Sequence, residues 1–262
     1  MAANTPPPAS GIRVSVVMPA LNEEKSIRDA VSGTLASFGR FGLAGEVLVV
    51  NDGSTDGTKG LVESLTRADG RVRMIEHASP LGVGASFWDG VDAAQGESVV
   101  MLPGDDENDP DEILRYAGLM EHVDIVVPYI FNRGMRPLWR EAFSLLYRLI
   151  VNGTFRVNFN YTNGTVLYRR SVLQRLESRC GGFFFKTDIL VRAVKKGYLF
   201  AEVPCRLKKR RGGKSKAVSW ASFAKVVRGY LGLCWDYHAM GALKPSRSFA
   251  PGSLTALRRS RP

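Results

Sequence analysis

Short apolar runs alternate with amphipathic stretches through the first half of the chain. The apolar, β-branched runs are typical of buried strands, which we predict at 13–18, 46–50, 71–76, 99–102 and 124–127. Between them, apolar residues at helical spacing predict helices near 23–37, 56–67, 86–94 and 110–121. Strands that alternate with helices of this length are typical of right-handed βαβ units. The sequence therefore predicts an α/β fold with a mostly parallel central sheet flanked by helices.

The pattern changes after residue 130. A long helix is predicted over 137–152, where Trp139, Phe143, Leu146 and Leu149 recur at helical spacing. The other predicted elements are strands at 165–168 and 199–203 and helices at 186–195 and 220–235. The regular alternation of strands and helices in the first half therefore does not continue in the second half.

The two ends of the chain differ from its middle. Residues 1–11 and 244–262 are rich in Pro, Ser or Arg and show no periodicity. A segment of this composition buries too little apolar surface to offset the cost of ordering it. We therefore predict a mobile N-terminal tail at 1–11, a single domain at 12–243 and a mobile basic tail at 244–262.

Charge is divided unevenly along the chain. Residues 1–130 carry 9 Lys and Arg against 20 Asp and Glu, a net of −11, whereas residues 131–262 carry 27 against 5, a net of +22. A basic half favours an anionic partner, such as a phosphorylated substrate, an anionic lipid surface or a nucleic acid. Nucleic acid is not expected, because the chain lacks interleaved aromatic and basic residues and any standard nucleic-acid-binding motif.

The cysteines and the apolar runs indicate the compartment. Cys180, Cys205 and Cys234 are odd in number and lack metal-ligand spacing, which indicates free thiols in a reducing compartment. The start, MAANTPPPAS, lacks the apolar core of a signal peptide, and no apolar run reaches the length that crosses a bilayer. We expect a cytoplasmic protein, soluble or peripheral on the cytoplasmic membrane face. The three histidines are assigned no role.

An acidic loop, residues 104–108, follows the buried strand at 99–102. In open α/β sheets, ligands bind at the carboxyl ends of the strands. Carboxylates placed there can hold a hard cation that bridges two phosphates. The acidic residues at 109–112 are explained by a helix start with Pro in its first turn. Asp105 and Asp106 lie before that start, so we interpret them as ligand-contacting residues.

Two other predicted strands also end in polar loops. Asn22 and Glu23 follow the first strand, where Asn22 is also suited to cap the next helix. Asp52 follows the second strand and could accept hydrogen bonds from a nucleobase or ribose. Alone, the first loop fits a helix cap as well as it fits a ligand site, and the second is an ordinary glycine-rich turn. Because all three loops lie at one edge of one predicted sheet, they indicate a ligand site there.

Six segments carry a resemblance to a known family. VSVVMPALNEE, VLVVNDGSTDGT and VVMLPGDDENDPDEI resemble the first half of family-two glycosyltransferases with the GT-A fold. TNGTVLYRRSVL, GFFFKTDIL and VPCRLKKRRGGKSK resemble the second half of the dolichol-phosphate mannosyltransferase branch. The resemblance covers about residues 13–217. It implies one Rossmann-like GT-A domain, with a nucleotide-binding half at 12–130 and an acceptor half at 131–243.

The resemblance also implies an activity. The expected reaction is inverting transfer of a sugar from a nucleotide-sugar donor, of GDP-mannose or UDP-hexose type, to a polyprenyl or dolichyl phosphate. The donor pocket would be lined by Pro19, Ala20, Asn22, Glu23, Asp52, Gly84, Ala85, Asp105 and Asp106.

The acidic loop departs from the family pattern, which usually reads Asp-x-Asp-x-Gln. Aligned on Pro110, this chain has Gly104, Asp106 and Asn108 at those places, so the first carboxylate is missing or displaced to Asp105. The resemblance implies Mg²⁺ or Mn²⁺ as cofactor, held by Asp106 and Asn108 together with substrate phosphates. In the acceptor half, residues 163–165 read Asn-Gly-Thr where the family usually has Ser-Gly-Phe.

Basic residues of the second half are candidates for phosphate binding, since Arg and Lys side chains bind phosphate oxygens. The residues implied by the resemblance are Arg133, Arg140, Arg210, Ser215 and Lys216. The expected catalytic residues are Arg210, Lys216 and Asp188, which matches the carboxylate base of related inverting transferases. An anionic phosphate acceptor needs little base catalysis, so Asp188 would then only position groups.

Two alternatives stay open. The first is a transferase that acts on a hydroxyl of a glycan or lipid acceptor, for which Asp188 would be the general base. The second is a non-catalytic nucleic-acid-binding protein, suggested by the basic half of the chain. Steep salt dependence of nucleic-acid affinity, without binding of a nucleotide sugar, would favour the second.

Overall fold

The strands of the chain assemble into one sheet. The computed structural model describes residue 11 and residues 13–132, 138–182, 184–206, 220–246 and 248–260. Within these ranges the strands are β1 (Val14–Ala20), β2 (Gly45–Asp52), β3 (Val72–His77), β4 (Ser98–Met101), β5 (Ile125–Ile130), β6 (Leu167–Arg169) and β7 (Phe200–Cys205). Their order in the sheet is β3-β2-β1-β4-β6-β5-β7. The pairs are parallel except those of β6, which runs antiparallel to β4 and β5. The predicted α/β fold is confirmed.

Helices cover both faces of this sheet. They are α1 (Ile27–Arg40), α2 (Thr58–Ala68), α3 (Val83–Ala93), α4 (Asp111–Leu114), α5 (Leu138–Phe155), α6 (Arg170–Gln174), α7 (Phe185–Lys196), α8 (Trp220–His238) and α9 (Leu254–Arg259). Successive side chains of a strand point to opposite faces. In β1, Val17 packs into the core with α3 and α7, whereas Val16 and Met18 pack into the core with α1 and α2. The apolar strand sequences are therefore explained by burial on two sides.

Two predicted helices differ from the observed ones. The helix predicted at 110–121 is α4 followed by a separate 3₁₀ turn at Ala117–Glu121. The helix predicted from residue 23 begins at Ile27, because residues 23–26 form a turn in which Glu23 O accepts the N–H groups of Ser26 and Ile27. The sequence pattern predicts that both helices exist, but local hydrogen bonds determine where each of them begins and ends.

The long helix predicted at 137–152 is present as α5, but its apolar spacing has an unexpected meaning. Phe143, Leu146 and Leu149 lie on the exposed face, whereas Val151 and Phe155 are buried in the core. No helix in the described ranges is both long and apolar enough to pass through a bilayer. The outward apolar face of α5 is therefore a surface feature.

The prediction of a mobile tail from residue 244 is wrong for residues 248–260. Ala250 and Leu254 are buried, and Ser253 caps α9 by accepting the Ala256 N–H. The Ser that suggested disorder is thus a helix cap, and a few apolar residues suffice because they enter an existing core. The N-terminal tail predicted at 1–11 lies outside the described residues except for Gly11.

Asp124, at the start of β5, fastens this C-terminal segment. Its buried carboxylate accepts hydrogen bonds from Leu254 N at 2.7 Å and Thr255 N at 3.1 Å, and also from the Thr255 hydroxyl. The same carboxylate pairs with Arg169 Nε at 3.1 Å. The guanidinium of Arg169 also donates to Met120 O. The buried Asp124 carboxylate is thus both paired and hydrogen-bonded, which offsets the cost of removing a charge from water.

Candidate active site

The loops that follow β1 and β2 are bonded to each other. Asn22 N donates to Ser54 Oγ at 3.0 Å, and Asn22 Oδ1 accepts the Thr55 N–H at 2.8 Å. Glu23 N donates to Thr58 Oγ1 at 2.8 Å. Asn22 therefore does not cap α1, as its sequence position suggested, but holds the neighbouring loop. These bonds bring two of the predicted ligand loops together at the carboxyl edge of the sheet.

Two predicted site residues adopt left-handed backbone conformations. Asn22 has φ of 57° and Asp106 has φ of 55°. For residues other than glycine this region is uncommon, although Asn and Asp enter it most readily. Such conformations cluster at active sites and ligand clamps. Their occurrence at the ends of β1 and β4 supports the site that the sequence predicts.

Gly104 seats the acidic loop on the end of β1. Its N–H donates to Pro19 O at 3.0 Å. A Cβ at this position would lie 2.8 Å from Ile27 Cδ1 and 3.3 Å from Ala20 Cβ. A carboxylate side chain would therefore require Ile27 to move. This packing places Pro19 and Ala20 beside the acidic loop.

Two carboxylates shape the backbone of the acidic loop and of the helix start that follows it. Asp105 Oδ1 accepts the Glu107 N–H at 3.0 Å, which shapes the turn, and Asp109 Oδ1 accepts the Asp111 N–H at 3.0 Å at the predicted helix start. Among the described residues no cluster of three or more His, Cys, Asp or Glu could hold a metal. Mg²⁺ typically takes one or two protein carboxylates and completes its shell with waters and substrate phosphates. Asp106 and Asn108 fit a cation bound in that way.

Lys186 lies beside the acidic loop, and sequence reasoning missed it. It is partly buried in the first turn of α7. Burial lowers its pKa to about 8, whereas the nearby Asp105 carboxylate acts to raise it. Within the segment GFFFKTDIL the resemblance assigns a role only to Asp188, although a lysine directly after three Phe residues is a signal of partial burial. Lys186 therefore places its amine beside the acidic loop.

Asp52 is occupied by protein hydrogen bonds. Its Oδ1 accepts from His77 Nδ1 at 2.7 Å and Leu81 N at 2.8 Å, and its Oδ2 accepts from Gly82 N at 2.8 Å. Burial raises the pKa of the Asp52 carboxyl, but these hydrogen bonds outweigh burial and hold it below its ordinary value. Asp52 therefore fixes the loop between β3 and α3. This function is additional to the predicted contact with a base or ribose.

His77, which the sequence left without a role, bridges two carboxylates. Its Nε2 lies 3.0 Å from Asp89 Oδ2, opposite the contact between Nδ1 and Asp52. An ionised carboxylate can only accept, so both hydrogen bonds form only when both ring nitrogens carry a hydrogen. The contacts join β2, β3 and α3, residues far apart in sequence. No spacing in the sequence could have predicted them.

Gly84 is explained by a close backbone approach. A Cβ here would lie 2.3 Å from Gly181 O, so only glycine lets the start of α3 approach the segment before α7. The neighbouring Trp88 Nε1 donates to Cys180 O at 3.3 Å. Gly84 and Ala85, both predicted to line the donor pocket, thus lie where α3 meets the segment that leads to Lys186.

Asp188 is buried in an ion pair. Both of its carboxylate oxygens accept from Arg192 Nε, at 2.9 and 3.0 Å, and Arg192 also contacts Asp236 Oδ2 at 2.5 Å. Burial raises the pKa of the Asp188 carboxyl, although Arg192 acts to lower it. The network joins α7 to α8. The catalytic assignment of Asp188 stays a prediction.

A cavity connects the acidic loop to the acceptor half. It has a volume of about 90 Å³ and is lined by Asn108, residues 163–165 and Arg206, among others. The structure therefore brings together Asn108 and the Asn-Gly-Thr segment, which the sequence singled out separately. A second cavity of about 200 Å³ shares Ile130 and Tyr161 with the first and runs along α5.

Several predicted phosphate ligands cannot be placed. Arg133, Arg210, Ser215 and Lys216 lie outside the described residues. Arg140 belongs to α5, but its side chain also lies outside them. These assignments stay predictions.

Comparison with known proteins adds a family and several relatives. The model of the family described as glycosyl transferase family 2 matches residues 15–177. A polyprenol monophosphomannose synthase of Mycolicibacterium smegmatis is 29% identical over 220 residues, which are 78% of this chain and 80% of the relative. An undecaprenyl-phosphate 4-deoxy-4-formamido-L-arabinose transferase of Salmonella paratyphi A is 29% identical over 143 residues, 54% of this chain and 44% of the relative. The chain thus spans less than half of the second relative.

Solved structures give the same fold. A glucosyl-3-phosphoglycerate synthase of Mycobacterium tuberculosis has a TM-score of 0.65 and 20% identity, over 86% of this chain and 81% of that one. That enzyme has been crystallised with Mg²⁺ and uridine diphosphate. It has also been crystallised with Mn²⁺, uridine diphosphate and phosphoglyceric acid. The likeness confirms the GT-A fold class.

Proposed function

Because the chain belongs to glycosyl transferase family 2, we propose that it transfers a sugar from a nucleotide-sugar donor, of GDP-mannose or UDP-hexose type, to a polyprenyl phosphate. One observation carries the proposal. The acidic loop packs against the end of β1, and the loop that follows β1 is hydrogen-bonded to the loop that follows β2. Two relatives whose names contain polyprenol or undecaprenyl phosphate support the acceptor. The enzyme would act at the cytoplasmic face of a membrane as a peripheral protein.

In the proposed complex the donor diphosphate lies over the acidic loop. Asp106 and Asn108 would hold Mg²⁺ or Mn²⁺ together with the donor phosphates. When bound, the cation neutralises the charge that develops on the leaving nucleoside diphosphate. Lys186 adds a positive charge beside Asp105, in a partly buried position where electrostatic interactions are stronger than in water. Asp52 keeps the loop at 77–82 in place beside the donor.

Transfer to a phosphate acceptor needs no protein base. An acceptor phosphate oxygen, already anionic, attacks the anomeric carbon as the bond from that carbon to the donor phosphate breaks, so configuration is inverted. Both oxygens of Asp188 accept from Arg192, which favours a positioning role for Asp188. Arg210 and Lys216 are proposed to bind the phosphates, and Arg133, Arg140 and Ser215 are proposed to assist them.

The proposal is tested by assaying transfer with a panel of labelled nucleotide sugars and polyprenyl phosphates. We expect Arg210→Ala and Lys216→Ala each to lower transfer about ten- to a hundredfold, because each removes a charge-assisted hydrogen bond to the acceptor phosphate and such a bond contributes about 1.5–3 kcal/mol. Hydrolysis of the donor by water should change much less. Arg67→Ala, which removes an exposed cation on α2, is the matched control and should leave both rates unchanged.

Two results would contradict the proposal. If the protein transfers sugar to a soluble hydroxyl acceptor and to none of the polyprenyl phosphates, the proposed acceptor is wrong. Asp188 would then be the general base. Salt-sensitive binding of DNA or RNA, with no nucleotide-sugar binding, would instead favour a nucleic-acid-binding protein.

Donor affinity is expected to fall about tenfold or more in Asp52→Asn. Leu81 N donates to one carboxylate oxygen and Gly82 N to the other, so an amide NH₂ in place of either oxygen loses one of these hydrogen bonds and the loop shifts. A hydrogen bond to a charged group contributes about 1.5–3 kcal/mol, and a tenfold change corresponds to about 1.4 kcal/mol. Calorimetric titration with the nucleotide sugar measures the change.

The matched control for this variant is Asp89→Asn. Asp89 contacts the same His77 ring from the other side but is about half exposed, so solvent screens its contribution. Its donor affinity should stay within about twofold of the wild type. Equal dissociation constants of the donor for Asp52→Asn and the wild type would show that Asp52 shapes its turn without contributing to donor binding.

A further inference from the structure

The outward face of α5 carries large apolar side chains in unusual density. Phe143, Leu145, Leu146, Leu149 and Ile150 are each between 44% and 68% exposed. Single exposed apolar residues are common on protein surfaces and need no explanation. Five on one side of one helix form a patch of the kind that marks an interaction site.

Helix α8 carries a second apolar stripe. Val227, Leu231 and Trp235 recur every four residues and are between 38% and 65% exposed. The two helices pack together, since Thr154 Oγ1 lies 2.7 Å from Tyr230 OH and the Phe155 ring contacts the Tyr230 ring edge-on. Each helix therefore packs on the protein through one face and leaves an apolar stripe outside.

Charge selects the occupant of this surface. Residues 131–262 carry a net charge of +22. Lys225 and Arg228 are exposed on α8 next to Val227, and Arg156 is exposed at the end of α5. A second copy of the chain would bring like charges together, whereas anionic lipid headgroups complement them. Aromatic residues such as Phe143 and Trp235 are also favoured at the membrane–water interface.

The surface adjoins the candidate active site. The cavity of about 200 Å³ along α5 is lined by Leu145 from the apolar patch, by Arg148 and by Tyr161. Tyr161 also lines the cavity at the acidic loop, together with Asn108. A phosphate at the membrane surface beside α5 would therefore lie next to a cavity that shares Tyr161 with the cavity at the acidic loop.

We propose that the outward faces of α5 and α8 dock on an anionic lipid bilayer, with both helices lying in the plane of the interface. Helices of this kind bury their apolar face at the boundary of headgroups and acyl chains while cationic side chains contact anionic lipids. The proposal deepens the proposed function and rests on it for the lipid acceptor. The docking itself is independent of the reaction.

Vesicle flotation with the purified protein tests the surface. Vesicles of phosphatidylcholine with phosphatidylglycerol are compared with vesicles of phosphatidylcholine alone, for the wild type, Leu149→Glu and Leu231→Glu. Each variant should bind the anionic vesicles about tenfold more weakly. The substitution removes a leucine that the bilayer would bury and adds a negative charge that the anionic headgroups repel. Leu257→Glu, at a 40% exposed leucine of α9, is the matched control and should bind like the wild type.

A second measurement separates docking from catalysis. Leu149→Glu should keep its rate with a short, water-soluble prenyl phosphate but lose rate with a long-chain polyprenyl phosphate embedded in vesicles. Vesicle docking without any transfer to prenyl phosphates would support the surface while refuting the proposed acceptor. A wild type that ignores anionic vesicles and forms a dimer in light scattering, which Leu149→Glu dissociates, would overturn the proposal.

Discussion

Replacing Asp106 by alanine is expected to lower sugar transfer about a hundred- to a thousandfold. Asp106 follows β4 with left-handed backbone geometry, in a loop seated on the end of β1 through Gly104. Because Gly104 leaves no carboxylate at the first place of the acidic pattern, Asp106 is the main charged cation ligand that the loop can offer. Loss of a group that stabilises developing charge has effects of this size. Initial rates at saturating donor, measured with and without Mn²⁺, give the change.

Asp105→Ala is the control within the same loop. The Asp105 carboxylate accepts the Glu107 N–H and lies near Lys186, so its loss should disturb the turn and slow transfer less than the loss of Asp106. Calorimetry of nucleoside diphosphate binding provides a readout besides activity: Mn²⁺ should strengthen binding to the wild type and to Asp105→Ala, but not to Asp106→Ala. Full metal-stimulated turnover in Asp106→Ala would remove the assignment.

The largest loss of stability is expected for Asp124→Ala. The substitution leaves the buried Arg169 guanidinium without its carboxylate and the N–H groups of Leu254 and Thr255 without their acceptor. Removing one partner of a buried ion pair costs about 3–5 kcal/mol. Urea unfolding should show a decrease of that size in the free energy of unfolding. Hydrogen exchange should become faster in α9, since Asp124 fastens that helix.

Asp92→Asn is the matched control for this variant. Asp92 pairs with Arg179 at 2.5 Å, but both side chains are substantially exposed. Exposed pairs contribute about 0–1 kcal/mol, so the control should unfold close to the wild type. Asp124→Ala with the stability of Asp92→Asn would show that the C-terminal segment is not held by its buried carboxylate.

The sheet, and the edge at which its polar loops meet, were predictable because each depends on short, contiguous segments of the sequence. Each strand is an apolar run, and each of the loops after β1, β2 and β4 carries its polar groups directly after such a run. Parallel strands then require these loops to lie at one edge. The GT-A resemblance rested on the same local segments. Local signals thus sufficed for both the fold class and the position of the site.

Residues that act through distant contacts were not predictable. His77 gained its role from Asp52 and Asp89, which lie on other elements. Lys186 gained its role from Asp105. Asn22 has the composition of a helix cap, and only the structure shows that its side chain bonds to Thr55. In each case the determining partner is set by tertiary packing, which no spacing along the chain records.

The apolar pattern also predicts a helix without stating which way it faces. The spacing of Phe143, Leu146 and Leu149 identified α5 correctly, yet these residues point outward. Periodicity measures only that apolar residues share a side. Whether that side contacts a core or an external surface depends on neighbouring elements. The C-terminal segment is the opposite case, since it lacks periodicity but is packed.

The antiparallel strand β6 restricts how the enzyme could close on its substrates. Leu167 and Tyr168 of β6 pair with β4 on one side and with β5 on the other. The half of the sheet formed by β1 to β4 and the half formed by β5 and β7 are therefore joined through one short strand by backbone hydrogen bonds. A hinge between the halves would have to break one of these ladders. Substrate-induced motion should thus be confined to loops and outer helices, and neither half should fold when expressed without the other.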